Sequence, residues 1–304
     1  MDKQIAVGKP FVPPPYKISR HEKIARRLLS PDSSSLDARE AHPPVTVVCV
    51  SDTHNAKPSL PDGDILLHAG DLSQDGTFAE IQAQLDWLKT LPHAHKIVIA
   101  GNHDLLLDLS FVTSHPDREL DRPGKSRVDL DWGGIIYLQD SSTSLQFGPR
   151  KITVFGSPWT PACGSFAFQH DRMEDVWAGK IPSQTDILVA HGPSAAHLDH
   201  GKECQYLLNE IWRAQPSLVV FGHIHAAHGT ESVRLDTSQM LYEKILTATK
   251  RPWIHVLQLV SYLLWKKLGG PRTTPELPTT RLINAAVHHS TGGLDDWKAP
   301  IVCM

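Results

Sequence analysis

No stretch of this chain approaches the ~20 consecutive apolar residues that span a bilayer, so a transmembrane segment is not expected. The longest candidate, Trp253 to Trp265, is interrupted by Gln258 and Ser261. Its apolar residues Ile254, Leu257, Val260 and Leu264 recur near helical spacing, and Lys266 and Lys267 come next, where cations suit the helix dipole. The segment reads as an amphipathic helix docked on the protein rather than one lying on a membrane. Cysteine is scarce as well. The four present (Cys49, Cys163, Cys204 and Cys303) lie far apart, without the paired spacing of a zinc site or a disulfide framework. Cys49 sits inside an apolar run, where a thiol serves as a small buried hydrophobe, and a reducing, cytoplasmic compartment is expected. Residues Met1 to Pro15 lack the apolar core of a secretory signal, and Asp32, Asp37 and Glu40 close behind Arg20, Lys23, Arg26 and Arg27 argue against a transit peptide. An excess of one charge is also missing. Lys plus Arg number 30 against 33 Asp plus Glu, a formal net charge of -3, which excludes a basic surface for a nucleic-acid polymer.

What is present suffices for a full core: 304 residues, 40 % of them hydrophobic. Residues 1–44, with Pro13-Pro14-Pro15 and Ser33-Ser34-Ser35, read as a partly ordered arm, and residues 45–304 as the domain, with a helical insertion at about 238–268. Six short apolar runs predict buried strands: Val45–Val50, Asp64–Ala69, Lys96–Ala100, Ile152–Phe155, Asp186–Ala190 and Leu218–Phe221. Between them, Thr77–Lys89 predicts a helix, with Thr77 and Glu80 forming a capping box, and Gln205–Ala214 predicts another. Strands alternating with helices mean an α/β domain. Residues 113–131 and 268–280, rich in proline and polar groups, read as surface loops.

The chemistry lies at the carboxyl end of each run. After the first run comes Ser51-Asp52-Thr53-His54; after the second, Gly70-Asp71; after the third, Gly101-Asn102-His103-Asp104; and later His191-Gly192-Pro193 and Gly222-His223-Ile224-His225. Five strands thus deliver Asp, Asn or His where α/β sheets gather ligands. Aspartate, asparagine and neutral imidazole together suit borderline divalent ions such as manganese, iron or zinc; calcium or magnesium would favour an all-oxygen shell. Seven such residues exceed the needs of one ion and suit two ions sharing a carboxylate.

This ordered set (Asp-x-His, Gly-Asp, Gly-Asn-His-Asp, a lone His, Gly-His-x-His over residues 52–225) resembles the calcineurin-like metallophosphoesterase superfamily. Residues 61–72, Gly156-Ser157-Pro158-Trp159, His191-Gly192-Pro193, Phe221–His225 and Arg281–Ala286 are similar to its metallophosphoesterase-domain-containing (MPPED) branch and to fungal calcineurin-like phosphoesterases. The resemblance implies a four-layer α/β/β/α sandwich of two mixed β-sheets. It implies one metal held by Asp52, His54 and His225, a second by Asn102, His191 and His223, and Asp71 bridging the two. A bridging water or hydroxide would be the nucleophile, His103 would act on the leaving oxygen, and Asp104 would orient the His103 ring.

In the protein Ser/Thr phosphatases the Gly-Asp block continues x-x-Asp-Arg-Gly; here it continues Leu72-Ser73-Gln74-Asp75-Gly76. A carboxylate in place of that arginine repels a dianionic monoester, so the expected substrate is a small monoanionic phosphodiester, a cyclic nucleotide among the candidates. A Ser/Thr-type phosphomonoesterase and a weakly active scaffold for a partner protein are the alternatives. His68, inside a predicted strand, is expected to be a hydrogen-bonded core residue, while His197 and His200 lie just past the His191 loop and could approach the site. Trp159, Phe166 and Phe168 are expected to pack beneath their loop, with base stacking the other use for them.

Overall fold

The computed structural model describes residues 18–29, 44–121, 124–201, 203–248, 250–269, 279–287 and 297–304. In chain order it contains α1 (Arg20–Leu28), β1 (Thr46–Val50), β2 (Ile65–His68), α2 (Phe78–Thr90), β3 (His95–Val98), α3 (Leu109–Ser114), β4 (Ile135–Tyr137), β5 (Ser141–Phe147) and β6 (Arg150–Ser157). Next come β7 (Thr160–Pro161), β8 (Gln169–His170), β9 (Ile187–Ala190), α4 (Gln205–Ala214), β10 (Leu218–Phe221), β11 (Gly229–Arg234), α5 (Thr237–Thr247), α6 (Pro252–Lys267), β12 (Thr279–Asn284) and β13 (Ile301–Cys303). All six apolar runs are strands, and both expected helices form, Thr77 and Glu80 making the reciprocal cap of α2.

The alternation of side chains along each strand builds the layers. The first sheet has the order β13-β1-β2-β3-β4 and the second β11-β12-β10-β9-β6-β5. Strands β1 to β4 run parallel with β13 antiparallel at the edge; β12, β10, β9 and β6 run parallel, flanked by antiparallel β11 and β5. Both sheets are therefore mixed. On β1, Val48 and Val50 pack outward with Ile81, Leu85 and Leu88 of α2, whereas Val47 and Cys49 turn inward to meet Ile152, Ile187 and Leu218 of the second sheet. The far face of that sheet, through Leu188, Val219 and Phe221, packs on Leu207 and Ile211 of α4. Helix, sheet, sheet, helix: this is the expected α/β/β/α sandwich.

Several details depart from the sequence expectation. The 113–131 stretch begins in the last turn of α3 and contains a 3-10 turn at Arg127–Asp129. Of 268–280, residues 270–278 lie outside the described residues, and Thr279 and Thr280 belong to β12, where they pair with Arg234 and Val233. Threonine is β-branched and fits that ladder despite its polarity. Most of the Pro/Ser-rich arm also lies outside the described residues, but 18–29 includes α1, capped reciprocally by Ser19 and Glu22. Its Ala25 joins Tyr242, Ile245, Val256 and Leu259 in a small separate core with α5 and α6.

His197 does not turn toward the strand ends. It is buried, with Nδ1 3.1 Å from Glu231 of β11 and Nε2 3.0 Å from Glu243 of α5, and Glu243 also accepts from the Trp212 indole. Both ring nitrogens face carboxylates, so both must donate, and the ring is an imidazolium. Burial pulls its pKa down, but the bonds and charges of Glu231 and Glu243 more than reverse that and lift it to about 10. A histidine raised above its unfolded value near 6.5 contributes stability that is fully present below that pH and is lost as pH rises through about 10. Urea unfolding midpoints of the wild type should accordingly fall from pH 6.5 to 10, and His197→Gln should flatten that slope while lowering stability at pH 6.5 by ~3 kcal/mol. Parallel slopes in the two proteins would refute the assignment.

Candidate metal centre

Because β1, β2 and β3 are parallel neighbours, and β9 and β10 likewise, the segments leaving their carboxyl ends emerge side by side. Asp52, Asp71 and Asn102 come from the first sheet, and His191, His223 and His225 from the second. Two glycines make the approach possible. A Cβ on Gly101 would collide with the Asp71 carboxylate, and one on Gly222 with the Asp52 carboxylate. The backbone is held under strain here: Asp52, His54, Asp71 and His223 all have positive φ (56, 42, 52 and 63°), a region that residues with side chains seldom adopt.

The side chains converge in two groups. His225 Nε2 lies 3.1 Å from Asp52 Oδ1 and 3.4 Å from His54 Nε2, which in turn is 3.6 Å from Asp71 Oδ2. On the other side, His191 Nε2 lies 3.0 Å from Asn102 Oδ1 and 3.4 Å from Asp71 Oδ1, with His223 completing that group. Asp71 thus turns one carboxylate oxygen toward each group. Ligand atoms of Asp52, His54 and His225, and those of Asp71, His191 and His223, lie within 4.8 Å of one another. A convergence of carboxylates, an amide oxygen and imidazoles on shared points is a donor set that fits divalent-cation binding. All seven residues singled out from the sequence are brought together.

The surroundings fix these groups in place. The His191 Nδ1–H donates to the Ala69 carbonyl at 2.8 Å, which directs the Nε2 lone pair inward. The His103 N–H donates to Asp71 Oδ1 at 2.8 Å, and the His223 N–H to both oxygens of Asp52. His68 is fully buried, as expected of a core histidine, and its Nε2 meets the Thr53 hydroxyl at 3.0 Å, bracing the loop between Asp52 and His54.

The electrostatics call for positive charge. Burial alone would raise the Asp52 and Asp71 carboxyls, yet His225 and His191 beside Asp52, and His191 and His54 beside Asp71, hold both well below the usual carboxylate range. Burial pushes His223 down to about 4 and lowers His54 too, which leaves these two imidazoles neutral and able to donate lone pairs. His191 goes the other way: against burial, Asp71 and Asp52 lift it to about 10. A divalent cation can supply the same positive charge, and its arrival would release the His191 proton, because only neutral imidazole ligates.

His103 lines the same space, its ring edge-on to His54 with centroids 4.8 Å apart. Its orientation does not come from Asp104, and that expectation is corrected. The Asp104 carboxylate is fully buried and accepts from the Gly101, Leu72 and Ser73 amides and the Ser73 hydroxyl, tying the β2 and β3 loops together. The His103 ring is held instead by the Gln74 carbonyl, 2.7 Å from Nδ1, and by the Phe166 ring at 4.6 Å. A main-chain carbonyl carries no sequence signal, so this partner was not legible. Phe168 packs in the core and the Trp159 indole donates to Asp140, so of the three loop aromatics Phe166 is the one that touches a candidate site residue. Two further residues were missed. Asn284, ending β12, donates to the Ile224 carbonyl and steadies the His223–His225 turn, and Glu203 places Oε1 3.7 Å from His223 Nε2. Nothing in its local sequence marks Glu203, and Asn284 stands in the Arg281–Ala286 stretch that carries the resemblance but without a role read for it; both reach the site only through the fold.

The family model described as calcineurin-like phosphoesterase matches residues 45–227. The chain is 41 % identical over 281 residues to the "Probable rhamnogalacturonate lyase C" of Emericella nidulans, a match covering 91 % of this chain and 26 % of that protein. It is 36 % identical over 203 residues to human "Metallophosphoesterase domain-containing protein 1" (60 % of this chain, 61 % of that one) and 34 % identical over 210 residues to a UPF0046 protein of Caenorhabditis elegans (62 % and 67 %). The chain therefore spans about a quarter of the Emericella relative and about three fifths of the human one. Among solved structures, TT1561 of Thermus thermophilus aligns at 13 % identity and a TM-score of 0.39 over 64 % of this chain and 86 % of that chain. With five motif blocks on five strand ends and a family match over most of the two sheets, the chain belongs to the calcineurin-like phosphoesterase family.

Proposed function

We propose that this chain is a dinuclear metal-dependent phosphodiesterase acting on a small diester, with Asp52, His54 and His225 holding one cation, Asn102, His191 and His223 the other, and Asp71 shared. The observation that carries the reading is the Asp71 carboxylate, one oxygen directed at each imidazole group. The donor set favours manganese, iron or zinc over magnesium. When bound, such a pair supplies an activated water and electrophilic stabilisation of a phosphoryl oxygen.

The remaining work falls to side chains. The Gln74 carbonyl fixes the His103 Nδ1–H, which leaves Nε2 as the atom that delivers a proton to the departing alkoxide. Phe166 covers one face of that ring and restricts water access to it. Asp104, knotting the loops from below, keeps Asp71 and His103 in register without touching the substrate.

The Gln74 carbonyl meets His103, and the next residue, Asp75, is exposed and falls in the sequence where the Ser/Thr phosphatases carry an arginine. That supports a monoanionic diester over a dianionic monoester. The lyase named for the Emericella relative belongs to a protein of which this chain spans 26 %, and a cluster of five imidazoles with two aspartates supports phosphoester chemistry instead. The manganese-loaded protein should show a higher kcat/KM for bis-p-nitrophenyl phosphate than for p-nitrophenyl phosphate, and Asp75→Arg should raise the monoester value by about tenfold. The reverse preference in the wild type would favour a monoesterase, and turnover of neither would favour a partner-binding scaffold.

A further inference from the structure

Helix α6 has two apolar faces, and the protein covers one of them. Val256 and Leu259 are buried against α1 and α5, with Leu263 partly buried beside them. On the opposite side Trp253, Ile254, Leu257, Leu264, Trp265 and Leu268 are all at least 45 % exposed, Leu257 at 67 % and Leu268 at 87 %. At 100° per residue these six fall within an arc of about 120°, centred roughly opposite the buried one. A soluble monomer has no use for a tryptophan-flanked apolar ridge along one whole helix.

The charges around it specify the partner. From Lys244 to Gly269 the chain carries five basic residues (Lys244, Lys250, Arg251, Lys266 and Lys267) and no aspartate or glutamate, although the whole chain has a net charge of -3. Helix α1 meets the start of α6 through the edge-on rings of His21 and Trp253, and adds the exposed Arg20 and Lys23. The apolar ridge has an indole near each end and basic residues at both ends of the helix, with no Asp or Glu from Lys244 to Gly269, and so is complementary to a surface that is apolar below and anionic above. The helix has 16 residues, about 24 Å, and no described helix is long and apolar enough to cross a bilayer. It would lie along an interface rather than span one.

We propose that the exposed face of α6 docks the protein on the surface of an anionic lipid membrane, with Trp253 and Trp265 in the interfacial zone, Leu257 and Leu264 between them, and the flanking lysines and arginines on lipid phosphates. The inference is independent of what the metal centre hydrolyses. A protein groove would need acidic rims to match the same face, and a second copy of α6 would bring a helix with basic residues at both ends and no anion of its own.

The test is flotation of the full chain with vesicles of phosphatidylcholine alone and of phosphatidylcholine with phosphatidylserine. Binding should appear with the anionic vesicles and weaken with salt. Lys266→Gln/Lys267→Gln should lower the partition coefficient by about 25-fold at low ionic strength, roughly fivefold per cation. Leu257→Ser/Leu264→Ser/Trp265→Ser should abolish flotation with an unchanged unfolding temperature, since these side chains are at least half exposed and take no part in the contact with α1. Absence of binding to either vesicle, or equal flotation of the triple variant, overturns the proposal. So does a wild-type dimer in sedimentation that the triple variant converts to monomer, which would give the face to a second copy.

Discussion

An Asp71→Asn protein is expected to keep its fold, lose both cations and hydrolyse phosphodiesters on the order of 10³-fold more slowly. The substitution is nearly isosteric, and the site residue most tightly bound to Asp71, the His103 amide, can still donate to the remaining carbonyl oxygen. What changes is the other end of the group. An amide offers one acceptor oxygen and one NH2 donor, so it can serve the His54 side or the His191 side but not both, which now receive Oδ2 and Oδ1 respectively. The lost negative charge also removes the leading charge that holds the His191 proton, so His191 should become neutral at lower pH than in the wild type. Metal analysis after manganese loading and desalting reads the outcome directly. Retention of the wild-type metal content would contradict the bridging assignment.

His103→Ala should behave in the opposite way: metal content unchanged, kcat lowered by about 10²–10⁴-fold. The ring is partly exposed, anchored by the Gln74 carbonyl and the Phe166 face, and it contributes to neither of the two groups centred on Asp52 and on His191. It does share a third potential group with His54 and Asp71, so the comparison with Asp71→Asn is decisive. If His103 is the proton donor, the alanine variant loses most on substrates with poor leaving groups and least on nitrophenolate esters, which need little protonation. A parallel fall in bound metal and activity would make it a ligand.

The layered fold was legible because its strands are short and buried on both faces, so that runs such as Val45–Val50 stand out, and because α2 announces its start with a capping box. Two strands that escaped notice sit at edges: Ser141–Phe147 is largely polar, and Ile301–Cys303 is too short to carry a period; inside the second sheet, the first two residues of β12, Thr279 and Thr280, read as loop. At the site, the side chains that converge were readable, because each sits just past its own strand. The parts that orient them were not: a carbonyl at Gln74, an asparagine 60 residues from the turn it steadies, and an aspartate whose role lies in tying two loops rather than in touching His103. Helix α6 was legible as amphipathic, but sequence period alone does not tell which of two apolar faces the fold will cover.

The central claim is that two cations share Asp71 where the parallel strands end. A manganese-soaked crystal measured at the manganese absorption edge tests it most directly. Two anomalous peaks about 3.5–4 Å apart, one beside Asp52, His54 and His225 and the other beside Asn102, His191 and His223, are the predicted result. A single peak, or none within reach of Asp71, would contradict it.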